Sequence, residues 1–125
     1  MKIINTINAP SAIGPYSQAV IIDDLLYTSG QIAINPKTKL IETNDIVSQT
    51  HQVFKNLEAI LKEANSSFEQ VIKTTVFIKD MNEFNLLNQV YGEYFKNHKP
   101  ARSTVEVARL PRDVKVEIEL IAKIK

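Results

Sequence analysis

The chain has 125 residues, of which 44% are hydrophobic, and 15 basic residues set against 14 acidic ones leave a formal net charge of +1. That length is one domain, 1–125, large enough to fold without a disulfide or metal staple, and the balanced charge offers no broad field to attract phosphate backbones or anionic membranes. Cysteine is absent, which excludes disulfides, thiolate metal sites and thiol nucleophiles. The N-terminus carries no secretory pattern and no apolar run approaches a membrane span, so the cytoplasm is the expected compartment.

Ala19 to Ile22 and Leu25 to Thr28 predict two strands around a tight turn at Asp23-Asp24. Asn35-Pro36-Lys37-Thr38 reads as a loop. From 45 to 64, Val47, Phe54, Leu57, Ile60, Leu61 and Ala64 recur at helical spacings, with Asn44 or Asp45 as cap. The β-branched run Val71 to Ile78 predicts a strand buried on both faces. Asp80-Met81-Asn82-Glu83 opens a second helix, capped by Asp80 or Asn82 and carrying Phe84, Leu87, Val90, Tyr91, Tyr94 and Phe95. Gly92 lies inside it, where glycine costs about 1 kcal/mol relative to alanine and either marks close packing or is incidental. Arg102 to Ala108 and Val114 to Ile121 predict the last two strands. The order implies two βαβ-type units on one sheet with both helices on one face. An apolar sheet left open on its other face predicts an oligomer.

Alternation in the last two strands groups Arg102, Thr104 and Glu106 on one face, and Lys115, Glu117 and Glu119 on one face of the other strand. Both sets are expected to point away from the apolar sides. Taken alone, this is a solvated face whose ion pairs are worth under about 1 kcal/mol. The functional reading is an arginine fork for a carboxylate, with a glutamate nearby to accept a proton. Gly14-Pro15-Tyr16 is a turn whose tyrosine is either a hydrogen-bonding lid or an amphipathic residue at the core's edge. Ser29-Gly30-Gln31 follows a strand, where the glycine marks either a β-bulge or a close approach of ligand to backbone. His51 and His98 are the only histidines, nothing pairs them, and no metal is expected. Neither Gly-x-Ser-x-Gly, nor a Walker motif, nor Gly-x-Gly-x-x-Gly occurs.

Four segments occur in order: Ala12-Ile13-Gly14-Pro15-Tyr16-Ser17-Gln18-Ala19, Tyr27-Thr28-Ser29-Gly30-Gln31-Ile32, Lys73-Thr74-Thr75-Val76-Phe77-Ile78-Lys79-Asp80-Met81 and Pro100-Ala101-Arg102-Ser103-Thr104-Val105-Glu106-Val107-Ala108-Arg109-Leu110-Pro111. Together they resemble the RidA (YjgF) family of reactive-intermediate deaminases, from about Ala9 to Ala122. The resemblance implies a chorismate-mutase-like α/β (α+β) fold, a mixed β-sheet with two helices on one face, and a homotrimer around a central barrel with active sites between subunits. It implies hydrolysis of 2-iminobutanoate and 2-iminopropanoate, shed by pyridoxal-phosphate dehydratases, with no cofactor and no metal in this protein. Arg102 matches the carboxylate anchor and Glu117 the glutamate that positions the attacking water. Tyr16, Ser29, Gly30, Asn88 and Thr104 match pocket positions. Relatives often carry cysteine where this chain has Thr104. Imine hydrolysis is still expected, because the side chain at 104 is not the nucleophile and its backbone carbonyl is retained. Two other roles come with the resemblance: a trimer that senses a small carboxylate without catalysis, and an RNA-cleaving translation inhibitor. Retention of Glu117 favours catalysis, and the near-neutral charge and lack of a histidine pair speak against RNA and against a nucleic-acid partner.

Overall fold

A computed structural model describes all 125 residues. The elements run β1 (Lys2–Ile4), β2 (Ala19–Ile22), β3 (Leu25–Thr28), α1 (Ile46–Glu63), β4 (Val71–Ile78), α2 (Phe84–Tyr94), β5 (Ala101–Glu106) and β6 (Val116–Lys123). The six strands form one sheet in the order β1-β2-β3-β6-β4-β5. Only β4 and β5 are parallel; every other pair is antiparallel. The fold is thus mixed α+β, as the sequence implied. The unit β4-α2-β5 joins neighbouring strands. The unit β3-α1-β4 is split, because β6 inserts between its two strands and runs antiparallel to both. Strand β1 is an addition: three residues are too few to show a period.

Local chemistry sets the helix ends. Asp45 caps α1, its carboxylate accepting from the Ser48 N–H at 2.8 Å. At the other end Asn65 takes a left-handed φ of 57°, and Ser66 N–H returns to the Leu61 carbonyl at 2.8 Å. Asp80 caps a 3₁₀ turn over Met81–Glu83 that leads into α2, accepting from the Asn82 N–H at 2.9 Å. The helices meet through aromatic rings: Phe54 stacks on Tyr94 at 4.5 Å and meets Tyr91 and Phe95 edge-on at 5.6 and 5.8 Å. Beneath them the sheet presents Val76, Ile78, Val116, Ile118, Leu120 and Ala122, each no more than 2% exposed. Burial of a large aliphatic side chain stabilises by roughly 1.5–3 kcal/mol, so this layer holds the helices to the sheet.

The opposite face of the sheet is open, and Ile22, Tyr27 and Val105 are exposed on it. Two expectations are corrected here, and the two readings of Gly92 reduce to the incidental one. Strand β4 is buried only towards the helices, with Lys73 exposed and Thr75 and Phe77 half-buried, because no layer covers its other side. On β5 the polar residues Arg102 and Thr104 face the helices, while Val105 faces outwards: an edge strand reaching past the core puts its alternation out of step with burial. Gly92 packs against nothing, since a Cβ there would have no neighbour within 4 Å. No helix is long and apolar enough to cross a membrane.

Candidate functional site

Arg102 sits on the edge strand β5, facing α2. Its Nη1 donates to Asn88 Oδ1 at 2.7 Å. Its guanidinium carbon lies 4.6 Å from the ring centre of Tyr91 and 5.2 Å from that of Phe84. No acidic side chain pairs with it. Beside it on the same face, Thr104 Oγ1 is fully enclosed without a hydrogen-bond partner. Glu106, the third residue of that row, is occupied: its carboxylate accepts from the Met81 N–H at 2.9 Å and anchors the turn before α2. It therefore serves the structure of that turn.

Glu117 lies on β6, on the open face, beside a cleft of about 460 Å³ that Tyr16, Ser29, Gly30 and Glu117 line together. Gly30 passes so close that an added Cβ would stand 2.0 Å from Glu117 Oε2 and 2.8 Å from Cδ. The glycine therefore serves close approach, here of a carboxylate to the backbone. A bridge of two backbone hydrogen bonds, Gln31 N to Ile118 O at 2.9 Å and Ile118 N to Gln31 O at 3.2 Å, fixes that approach. Partial burial pushes the Glu117 carboxyl above the ordinary glutamate range, and the like charge of Glu119 adds to the rise. A carboxylate with a raised pKa is a stronger proton acceptor.

The rest of the cleft is held by backbone chemistry. Ser29 Oγ donates to the Ser17 carbonyl at 2.6 Å, which ties the strand end to the 10–18 segment. Tyr16 is a rim residue, half-exposed, and not part of the core. Its N–H closes a tight turn on the Gly14 carbonyl at 2.9 Å, where Gly14 has a φ of 123° that side chains disfavour. Pro111 forms a wall from the loop between β5 and β6. In that loop Arg112 and Asp113 both take left-handed φ angles, 55° and 56°. Arg109 clasps Asp113 at 2.8 and 3.3 Å and holds its carboxyl below the usual range.

Strand register decides which residues can meet. Arg102 pairs with Thr74, and Thr74 with Leu120, a row that faces the helices. Val105 pairs with Phe77, and Phe77 with Glu117, a row on the open face. One chain therefore gathers Tyr16, Ser29, Gly30 and Glu117 on one side of the sheet, and Arg102, Asn88 and Thr104 on the other. It does not bring the arginine and the glutamate into one site.

Three contributors escaped the sequence reading. Gln18 is 2% exposed, and its amide stitches the 6–10 segment to β2, accepting from Thr6 N–H at 2.7 Å and donating to Pro10 O at 2.8 Å. Nothing in the sequence marks it. Phe84 and Tyr91 were legible as a helix stripe with Asn88 between them, at spacings of four and three, but such a stripe reads as core.

The family model described as Endoribonuclease L-PSP matches residues 6–124. A RutC family protein of Pyrococcus horikoshii is 54% identical over 121 residues, covering 97% of this chain and 96% of that protein. A human protein named 2-iminobutanoate/2-iminopropanoate deaminase is 44% identical over 121 residues, covering 97% and 88%. The crystal structure of Escherichia coli TdcF with bound serine superposes with a TM-score of 0.95 at 46% identity, covering 100% of both chains.

Proposed function

This chain belongs to the Endoribonuclease L-PSP family, which includes the YjgF, RutC and RidA proteins, and from that premise we propose that it hydrolyses small 2-imino acids to 2-oxo acids and ammonia. The observation that carries the reading is Arg102: an arginine with no acidic partner, held at an exposed strand edge by an amide and two aromatic rings. Such a group is built for a planar anion, and its remaining N–H donors match a carboxylate in a two-point bond. Serine, bound in the related TdcF structure, is a small α-amino carboxylate of that shape.

The reaction uses both half-sites. Arg102 fixes the substrate carboxylate and with it the adjacent C=N carbon, removing orientational freedom before reaction. Glu117 holds a water and takes its proton as the water oxygen bonds to that carbon. The C=N π electrons pass to nitrogen, giving a carbinolamine. Glu117 passes that proton to nitrogen, and the hydroxyl proton follows it to nitrogen by the same carboxylate as C=O forms, so that the C–N bond breaks with ammonia as the leaving group. Water and imino acid yield ammonia and 2-oxo acid, with no redox change. The substrates expected are 2-iminopropanoate and 2-iminobutanoate, met in the cytoplasm where dehydratases release them.

Because the two half-sites lie back to back, the working site joins the Arg102 edge of one copy to the Glu117 cleft of another. A closed homotrimer does this with three equivalent contacts and covers the open sheet face. The RNA-cleaving reading lacks its chemistry: His51 is bonded to Tyr94 at 2.9 Å and His98 to the Val71 carbonyl, so no histidine pair stands ready.

The test is a coupled assay in which a threonine or serine dehydratase generates the imine and 2-oxo acid release is followed. Wild type accelerates release and folded Arg102→Ala does not. No acceleration by folded wild type replaces the deaminase with the carboxylate-sensing regulator, and normal turnover by Arg102→Ala removes the arginine from the site.

A further inference from the structure

The support beneath Arg102 is deeper than one hydrogen bond. Phe84, Asn88 and Tyr91 stand at i, i+4 and i+7 on α2, one face of the helix aimed at one guanidinium. Both ring centres fall within the roughly 6 Å over which an aromatic face attracts a cation. Tyr91 is itself fixed: its hydroxyl and Thr74 Oγ1 share a buried hydrogen bond of 2.7 Å. Thr74 is the β4 residue paired with Arg102 of β5, so the strand beside the arginine's own also registers its platform. Burial pushes the Tyr91 phenol upwards, so the hydroxyl stays neutral in that bond.

We propose that Phe84 and Tyr91 are positioning residues whose rings hold the Arg102 guanidinium in one plane, so that a substrate carboxylate meets a preset fork. The proposal rests on the reading of Arg102 as the carboxylate anchor. An arginine on an exposed edge strand otherwise loses its rotamer freedom when substrate binds. Here Asn88 fixes one nitrogen and the rings fix the plane beforehand. Ground state and transition state carry the same carboxylate, so the gain is uniform binding and appears in KM.

The experiment compares wild type with Phe84→Leu, Tyr91→Leu, the pair Tyr91→Phe with Thr74→Val, and Arg102→Ala. Steady-state constants come from the coupled assay, and affinities for 2-oxobutanoate and its uncharged amide come from calorimetry. Phe84→Leu and Tyr91→Leu are expected to raise KM about 3- to 10-fold with kcat nearly unchanged, and to cut the preference for carboxylate over amide by the same factor. The ring-retaining pair recovers most of the affinity that Tyr91→Leu loses. Phe84 is only half-buried, so Phe84→Leu keeps the test open should Tyr91→Leu fail to fold. An unchanged KM and unchanged carboxylate preference in folded Phe84→Leu overturn the proposal, as does a ring-retaining pair as impaired as Tyr91→Leu. If Arg102→Ala itself keeps the carboxylate preference, the anchor reading fails instead, and the two failures are told apart.

Discussion

The two half-sites are built in opposite ways. Arg102 rests on regular structure: a strand edge, a helix face at ideal spacing and two aromatic rings. Glu117 sits on a strand, but its surroundings come from loops, with Gly14 and the consecutive residues Arg112 and Asp113 at left-handed angles. The arginine half is thus preorganised by packing, and the glutamate half by close backbone approach. Each is open on the side where the other is missing.

Mixing two inactive variants is the strongest way to break this comparison. Arg102→Ala and Glu117→Gln should each lower kcat/KM by at least about 100-fold, because each removes a charged group that nothing nearby replaces. Denatured together in equal amounts and refolded, they should recover about a quarter of wild-type activity, since random assembly of a head-to-tail ring pairs an intact arginine edge with an intact glutamate cleft at one contact in four. Recovery absent from folded mixed oligomers would place both groups' work within a single chain, against the register of β4, β5 and β6.

Gly30→Ala sharpens the glutamate side alone. The backbone at Gly30 is not left-handed, so alanine brings no φ strain, and the atoms in its way are the far end of one side chain. Glu117 must swing aside, and a displacement of about 1 Å at a reacting group can cost up to 100-fold in rate. The expected outcome is a kcat lower by at least about 10-fold with a melting temperature near that of wild type. A variant of normal kcat would show that the carboxylate works from another position.

What the sequence revealed follows the same divide. Helices α1 and α2, strands β2 to β6 and the Asp45 cap are written in local periodicity, and the chain supplied them. The side of the sheet on which Arg102 falls is not local. Alternation separates Arg102 from Val105 but cannot say which of them faces the helices, because that depends on the neighbours of an edge strand. The expectation of an outward-facing arginine followed from assuming that valine marks the core. Strand β6 shows the rule working, since it lies in the interior of the sheet and its apolar face is the buried one. Family resemblance named Arg102 and Glu117 together; their lying on opposite faces required the register. The burial of Gln18 depends on a long loop folding back, which no spacing encodes.

Thr104 offers a milder test of the arginine side. Its hydroxyl is enclosed without a partner, so Thr104→Val exchanges an unsatisfied oxygen for a methyl of similar size. An unpaired buried hydroxyl costs about 1–3 kcal/mol, and the substitution is expected to stabilise the fold by about 1 kcal/mol in chemical denaturation. Turnover should hold, as no side-chain chemistry is assigned at 104. A fall in stability would mean that the hydroxyl finds a partner in the assembled protein, and a large loss of kcat would give it a role in the site.

The smallest effect concerns the charge beside Glu117. Burial raises its carboxyl first, and Glu119, two residues along the same face, raises it further. The β4 residues facing that pair are Phe77 and Thr75, neither charged, with Lys73 one step beyond on the open face. Glu117 must be ionised to accept a proton, so activity falls as pH drops through its raised pKa, and the acid limb lies above the ordinary glutamate range. Stability runs the other way: the protonated form is favoured by folding, so this group's contribution is full below the unfolded pKa and is lost as pH rises through the folded one. Glu119→Gln removes the like charge and should move the acid limb of kcat down, and only slightly, because Glu119 is exposed and solvent screens it. Burial persists in the variant, so the limb stays above the ordinary range. In about 1 M salt the difference between variant and wild type should shrink, whereas an offset due to altered packing would remain. A limb that does not move at low salt would assign the whole rise to desolvation, and the glutamate half of the site would then owe its basicity, like its position, to the backbone pressed against it.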